Sequence, residues 1–332
     1  MSETASFAED RYDKMRYRRC GRSGLVLPEV SLGLWQSLGE KGNEALCKEA
    51  CFYAFDQGVN HFDLANNYGP PFGYAEESFG RVLKEMPRDE LIISTKAGYR
   101  MWPGPFGEGG SKKYLVASLD QSLKRMGLDY VDIFYHHCPD DRVMMEESLE
   151  TLDLIVKQGK ALYVGVSSYR GHQFAEAAEL VRARGWAPLT IHQPMYNMVD
   201  RWVESELMPQ TERTGTGIIA FCPLGQGLLT DKYLRGVPED SRVARTPHLQ
   251  ERLEKWRVEG WLAKVARLND FAQERDMTMA QLAIAWLLRD PRLTSVLIGA
   301  SRMDQLKENL AAVRKPPLTK EHCEAIGAIL TE

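Results

Sequence analysis

The chain has 332 residues, room for one large domain or two ordinary ones, with 44% hydrophobic and 27% charged residues, proportions usual for a globular protein. A net charge of −4 with both signs mixed along the chain gives no basic face for nucleic acid and no polybasic patch for a membrane. No apolar run approaches the roughly 20 residues that span a bilayer, and the acidic opening stretch has no apolar core. A cytoplasmic protein with neither nucleic acid nor membrane as partner is expected.

Residues 1–15 are expected to be a flexible segment and residues 16–332 a single domain. RYRRCGRSGLVLP (16–28) predicts a hairpin with a Ser-Gly turn, placed to close a barrel floor. Eight short runs rich in β-branched and aromatic residues follow: 30–34, 60–65, 91–97, 131–137, 161–168, 189–194, 217–223 and 294–300. Helical spacing fills the intervals at 43–57, 75–85, 112–126, 145–158, 172–184, 203–214, 261–275 with 278–289, and 303–313. Eight strand–helix repeats imply a parallel sheet closed on itself, a (β/α)8 barrel of the α/β class. The strands are almost continuously apolar, as strands covered by helices must be. An extra helix is expected over 318–330, with Thr319 as its N-cap. Two long connections, 100–113 and 228–260, fall at strand C-termini, where a barrel builds its site.

Six cysteines, Cys20, Cys47, Cys51, Cys138, Cys222 and Cys323, are scattered without a C-x-x-C pair, so free thiols are expected. Cys47 and Cys51 share one helical face and read as small core residues.

Four reactive residues lie at the ends of neighbouring strands. Asp63 and Tyr68 are in HFDLANNYG, Lys96 is in LIISTKAG, and His137 is in VDIFYHHCPD. On a barrel these ends share one mouth. A phenol with an ordinary pKa of about 10 is a weak proton donor at neutral pH. A nearby ammonium is expected to lower that value, with Asp63 holding Lys96 charged and His137 bonding a substrate carbonyl. Tyr68 would then give its proton to the oxygen as a hydride reaches the carbon. His136, His137 and Cys138 could instead ligate a metal, but adjacent strand residues face opposite ways and no HExxH or C-x-x-C accompanies them. No metal is expected.

The hydride source has to be inferred, because neither GxGxxG nor GxxxxGK[ST] is present. Barrels also hold phosphates on late loops and helix starts. FCPLGQGLLTDKY (221–233) offers the flat ring of Phe221, backbone amides and Lys232. IGASRMDQLKEN (298–309) offers Ser301 and Arg302 at a helix start, then Gln305, Glu308 and Asn309.

These motifs, with GVSS (165–168) and QPMYN (193–197), resemble the aldo-keto reductases from about residue 16 to 330. The resemblance is to the branch holding bacterial L-glyceraldehyde 3-phosphate reductases and potassium-channel β-subunits. It implies an NADP-dependent oxidoreductase binding NADPH in extended form, with Tyr68 as proton donor supported by Asp63, Lys96 and His137. It implies Ser167 and Gln193 on the nicotinamide carboxamide and Phe221 against the ring. Cys222, Pro223, Leu224, Gln226 and Gly227, with Lys232 and Arg242, would hold the pyrophosphate. Gly299, Ser301, Arg302, Gln305, Glu308 and Asn309 would hold the adenosine end, with Arg302 favouring NADP over NAD. Trp35 and Asp63 complete the cofactor contacts. Trp35, Tyr68 and Trp102 would wall the substrate pocket.

Many members carry Asn where Ser168 stands, so that contact is expected to be weaker. Channel β-subunits carry Asn at the place of His137, and the His here favours a working reductase. The expected substrates are small aldehydes, L-glyceraldehyde 3-phosphate and methylglyoxal among them. The alternatives are aryl or dicarbonyl substrates, or a cofactor-sensing interaction protein. Arg100, Lys112, Lys113 and Arg142 could meet a substrate phosphate, with solvated surface charge the simpler reading. A homo-oligomer is expected from the branch.

Overall fold

The computed structural model describes residues 6–239 and 241–332. Eight parallel strands close into a barrel: β3 (Val30–Gly33), β4 (His61–Asp63), β5 (Ile92–Ala97), β6 (Val131–His136), β7 (Ala161–Ser167), β8 (Leu189–Gln193), β9 (Gly217–Ala220) and β10 (Leu293–Ile298), which pairs with both β9 and β3. This is the expected (β/α)8 barrel. Each strand ends within a few residues of its sequence-based bound.

The hairpin, β1 (Tyr17–Arg19) and β2 (Val26–Pro28), pairs antiparallel ahead of the barrel. Cys20, Leu25 and Leu27 pack on Ile133, Tyr135, Ile191 and Ile219 inside the strands, so the hairpin closes the floor. Buried Glu29 accepts ion pairs from Arg16 and Arg18, each at 2.8 Å. Arg18 also donates to the carbonyls of Leu288, Asp290 and Leu293, which fixes the hairpin to the start of β10. The other end of the barrel is thereby left as the mouth.

The alternation of strand side chains decides what faces inward. On β4, Phe62 points out to Phe79 at 5.2 Å between ring centroids, while His61 and Asp63 face the interior network described below. Glycine at one inward position lets the interior pack closely. A Cβ on Gly165 would lie 2.3 Å from the Ile191 carbonyl oxygen and 3.0 Å from the Tyr135 ring.

The helices follow the apolar spacing, and their caps set their bounds. Ser111 accepts from the Tyr114 amide to begin Lys112–Met126, and Gly127 ends it at φ 69°. Thr319 caps Lys320–Thr331, the expected final helix. The 203–214 span divides into a π turn, Val203–Leu207, and Met208–Thr214, because Pro209 has no amide to continue the ladder.

The expected 228–260 connection requires correction. It contains two helices, Arg242–Arg245 and Pro247–Val258. The longer one buries Leu249, Leu253 and Trp256, which recur at steps of four and three on one face. The segment expected to be flexible has a helical turn at Arg11–Lys14, and Phe7 meets Phe52 and Phe55 edge-on at 5.2 and 4.8 Å. Residues 1–5 lie outside the described residues. All six cysteines are free, and Cys47 and Cys51 are fully buried. Among the described residues no helix is long and apolar enough to cross a membrane.

Candidate active site

Register brings the four reactive residues to the mouth. Asp63 lies level with Ser94 of β5 and Gly33 of β3, and Lys96 lies level with Tyr135 of β6. Lys96 donates to the Asp63 carboxylate at 2.5 Å and to the Leu64 carbonyl at 2.6 Å, and its Nζ lies 3.3 Å from the Tyr68 hydroxyl. Both members of this ion pair have no exposed side-chain surface. Tyr68 rides on the turn after β4, its amide bonded to the Ala65 carbonyl and its own carbonyl taken by the Gly73 amide.

His137 follows β6 directly, and its amide donates to the Ala97 carbonyl at 2.9 Å. Its ring lies 6.0 Å from that of Tyr68 and 4.6 Å from that of Tyr99, centroid to centroid. Gly98 leaves the space: a Cβ there would stand 2.9 Å from the His137 Cβ. The His137 Nδ1 is buried without a hydrogen-bond partner, which leaves Nε2 as the nitrogen available to a ligand.

The protonation states follow from burial. Desolvation, helped by the Lys96 charge, holds His137 well below its ordinary value, so it is neutral at pH 7. Desolvation pushes Lys96 down, and Asp63 opposes it. Tyr68 departs from expectation. Its phenol is raised well above 10, first by burial and then by the negative charge of Asp63. Lys96 does not produce a net lowering, because burial of the phenol outweighs it and the Asp63 carboxylate adds to the rise. Tyr68 therefore keeps its proton at neutral pH.

The residues expected around a nicotinamide are close together, but they bond one another. Ser167 donates to the Gln193 carbonyl at 2.9 Å, and the Gln193 amide donates to Asp63 at 3.2 Å. Ser168 stands at φ 63°, a conformation that Asn adopts more readily than Ser, with its amide on the Gln193 carbonyl at 3.1 Å. Phe221 follows β9 and is half-buried. In the loop beyond it, Cys222, Gly225, Gln226 and Gly227 all have left-handed backbone, the kind of turn that forms an anion-holding concavity. Pro223 is buried there; Leu224 and, further on, Lys232 are half-buried.

Arg242 reaches across the mouth and lies 5.6 Å over the ring of Trp35. At the end of β10, Gly299 and Ser301 are exposed, and the Ser301 amide and hydroxyl both donate to the Gln305 side chain at 3.0 and 2.9 Å. Arg302 pairs with Asp304 at 3.0 Å. Glu308 is half-buried and Asn309 buried on the following helix, Met303–Leu310.

Around the mouth, Trp35 lies 6.3 Å from Tyr68, and Trp102 packs 5.1 Å from Tyr114. Among the cations considered for a substrate phosphate, Arg142 pairs with Glu108 and Asp140, Lys112 with Glu150, and Lys113 lies over Phe106. His136 turns to the outer side and meets the Tyr169 hydroxyl at 2.7 Å. Among the described residues no three His, Cys, Asp or Glu side chains converge as metal ligands.

Three residues of the site escaped the sequence reading. Ser94 donates to Asp63 at 2.6 Å, and it could have been found two positions before Lys96 on the same strand face. His61 stands in the same relation to Asp63. Tyr99, against His137, lies in a loop and carried no signal.

Barrels of this kind host unrelated chemistries, so the class rests on the residues at the mouth. Residues 29–331 match the Aldo/keto reductase family, and the chain belongs to that family; it is an oxidoreductase. It is similar to L-glyceraldehyde 3-phosphate reductase of Escherichia coli (strain K12), 55% identical over 310 residues, 92% of this chain and 89% of that protein. The protein of the same description in Escherichia coli O157:H7 is 53% identical over 323 residues, 96% and 93% of the two chains. A probable voltage-gated potassium channel subunit beta of Arabidopsis thaliana is 36% identical over 310 residues, 92% and 93%.

Proposed function

We propose that this chain reduces small aldehydes with NADPH, L-glyceraldehyde 3-phosphate and methylglyoxal among them. The carrying observation is the Lys96 ammonium 3.3 Å from the Tyr68 hydroxyl, with a neutral imidazole beside the same phenol. The description of the two bacterial relatives supports the phosphorylated substrate. Nicotinamide, when bound, supplies the hydride. The 222–227 loop, left-handed at Cys222 and at 225–227, and the Phe221 ring would hold a dinucleotide, with Ser167 and Gln193 toward its reactive end and Ser301 and Arg302 toward its far end.

The substrate oxygen is held by His137 Nε2–H and the Tyr68 hydroxyl. As that oxygen gains charge, Tyr68 gives it the proton, and the product leaves as an alcohol. The phenolate left behind is stabilised by Lys96, whose own charge Asp63 secures. Arg302 selects the 2′-phosphate by exchanging Asp304 for it. Arg302→Ala is expected to reduce the NADPH-over-NADH preference about 10-fold or more, since a charge-assisted bond to phosphate is lost. An unchanged cofactor ratio sinks that assignment.

A second reading has its own support. Trp35, Phe72, Tyr99 and Phe106 expose 40, 56, 46 and 49% of their surface on the mouth side, an apolar rim suited to aryl aldehydes or diketones. The test is loss of NADPH absorbance with L-glyceraldehyde 3-phosphate, its D-isomer, methylglyoxal and an aryl aldehyde side by side. A clear preference for the L-isomer supports the first reading, and fastest turnover of the aryl compound supports the second. NADPH bound tightly with no turnover of any carbonyl overturns both, in favour of a cofactor-sensing subunit. The molar mass in solution reads whether copies assemble.

A further inference from the structure

Below the mouth, a line of buried polar side chains runs through the barrel interior. The Ser295 hydroxyl meets that of Ser31 at 2.7 Å, and the Ser31 hydroxyl meets His61 Nδ1 at 2.8 Å. His61 Nε2 meets the Ser94 hydroxyl at 3.0 Å, and Ser94 meets Asp63 Oδ1 at 2.6 Å. All five residues have no exposed surface. The line joins β10, β3, β4 and β5 and ends on the carboxylate that anchors Lys96.

The direction of each bond can be worked out from that end. A carboxylate only accepts, so Ser94 spends its single hydrogen on Asp63. The Ser94 oxygen can then only accept from His61, which places a hydrogen on Nε2. Burial holds His61 down to about 4, so the ring is neutral and Nδ1 is an acceptor. Ser31 must donate to Nδ1 and therefore accepts from Ser295. Ser295 also lies 3.4 Å from the Glu29 carbonyl, but the 2.7 Å contact takes its hydrogen.

We propose that His61 is a positioning residue for the Asp63 carboxylate, the central link of a buried donor chain, Ser295 to Ser31 to His61 to Ser94, in which every hydrogen points at that charge. The charges facing His61 are Asp63 on its own strand and Lys96 on β5. Bonds aligned in one sense polarise one another, which strengthens the last of them. Asp63 is thereby held on Lys96, and Lys96 on Tyr68. The chain needs a ring that donates at one end and accepts at the other, which an apolar residue of equal volume cannot do.

The inference rests on the proposed reductase activity for its kinetic arm alone. The first arm is long-range proton–nitrogen NMR of the wild-type protein, which reads the tautomer without turnover. A neutral His61 with its proton on Nε2 at pH 7 is expected. A proton on Nδ1, or a charged ring, overturns the chain. The second arm compares wild type, His61→Leu, His61→Gln and Ser31→Ala in aldehyde reduction. His61→Leu is expected to lower kcat about 5- to 10-fold, with KM for NADPH within about 2-fold, because the carboxylate is less firmly oriented. Lys96, less well anchored, loses its proton more easily, so the alkaline limb of the pH profile moves to lower pH.

His61→Gln, which keeps a donor toward Ser94 and an acceptor toward Ser31, recovers most of that loss. Equal damage in the Leu and Gln variants, or an unmoved pH limb in both, means packing alone and overturns the proposal. If His61→Leu does not fold, Ser31→Ala carries the same decision, its pH limb moving or not. Absence of turnover in the wild type defeats the proposed function and leaves the tautomer arm standing.

Discussion

Removing Lys96 alone isolates what the buried ion pair contributes. Lys96→Met has nearly the same volume and deletes the 2.5 Å contact to Asp63, leaving the carboxylate at zero exposure with Ser94 at 2.6 Å and Gln193 at 3.2 Å as partners. Stripping one member from a buried pair costs about 3–5 kcal/mol, because the remaining charge is neither solvated nor neutralised. The two surviving hydrogen bonds put the expected loss toward the lower end, about 3 kcal/mol. Asp63→Asn with Lys96→Met leaves no charge behind. Its loss should be smaller than the sum of the single losses, with a coupling of about 2 kcal/mol between the two sites.

The assay is equilibrium unfolding in urea at pH 7, followed by far-ultraviolet circular dichroism and tryptophan fluorescence, for wild type, each single variant and the double. A total stability of about 5–15 kcal/mol leaves the variants foldable. Coupling below about 0.5 kcal/mol, or a double variant as damaged as the sum of the singles, would refute the account of Asp63 as a charge held in place by Lys96.

Two further outcomes follow from the same geometry. Tyr68→Phe removes the proposed proton donor and little volume, so kcat should fall by about 100-fold or more while NADPH affinity is unchanged; normal turnover refutes the donor assignment. Acid should destabilise the fold through its buried histidines. Burial lowers His61 and His136 to about 4 and His192 to about 3 from an ordinary 6.5. The unfolded chain therefore binds more protons than the folded one between about pH 4 and 6.5, so stability rises with pH through that window and is unaffected by these groups above it. Each histidine contributes up to about 1.4 kcal/mol per pH unit. A melting temperature flat from pH 7 to 4.5 contradicts this.

How much of this could be read from the residues depended on what kind of signal each feature leaves. The strands could be located because burial between a packed interior and a helical layer forces near-continuous apolar runs. The mouth could be located because Asp63, Lys96 and His137 all fall where a strand gives way to a loop. The helix at Pro247–Val258 was passed over because nine of its twelve residues are not among its buried ones, and three apolar contacts are hidden in a charged segment. The protonation of Tyr68 was unreadable for a different reason. Sequence shows that a lysine and an aspartate are near, but not that burial outweighs the lysine.

The same distinction accounts for His61. In the sequence it is one more strand residue beside a Phe, and its tautomer is set only by the Ser94 hydroxyl that it faces across β5 and by the charge beyond it. Residues whose role depends on their own chemistry can be picked out from a strand end. Residues whose role is to orient another group become visible only when register is known. Two such residues, Ser94 and His61, both sit two positions before a catalytic candidate on the same strand face. The inward positions preceding Asp63 and Lys96 are therefore where orientation of this site is decided, and substitutions there should alter rate and pH dependence before they alter cofactor binding.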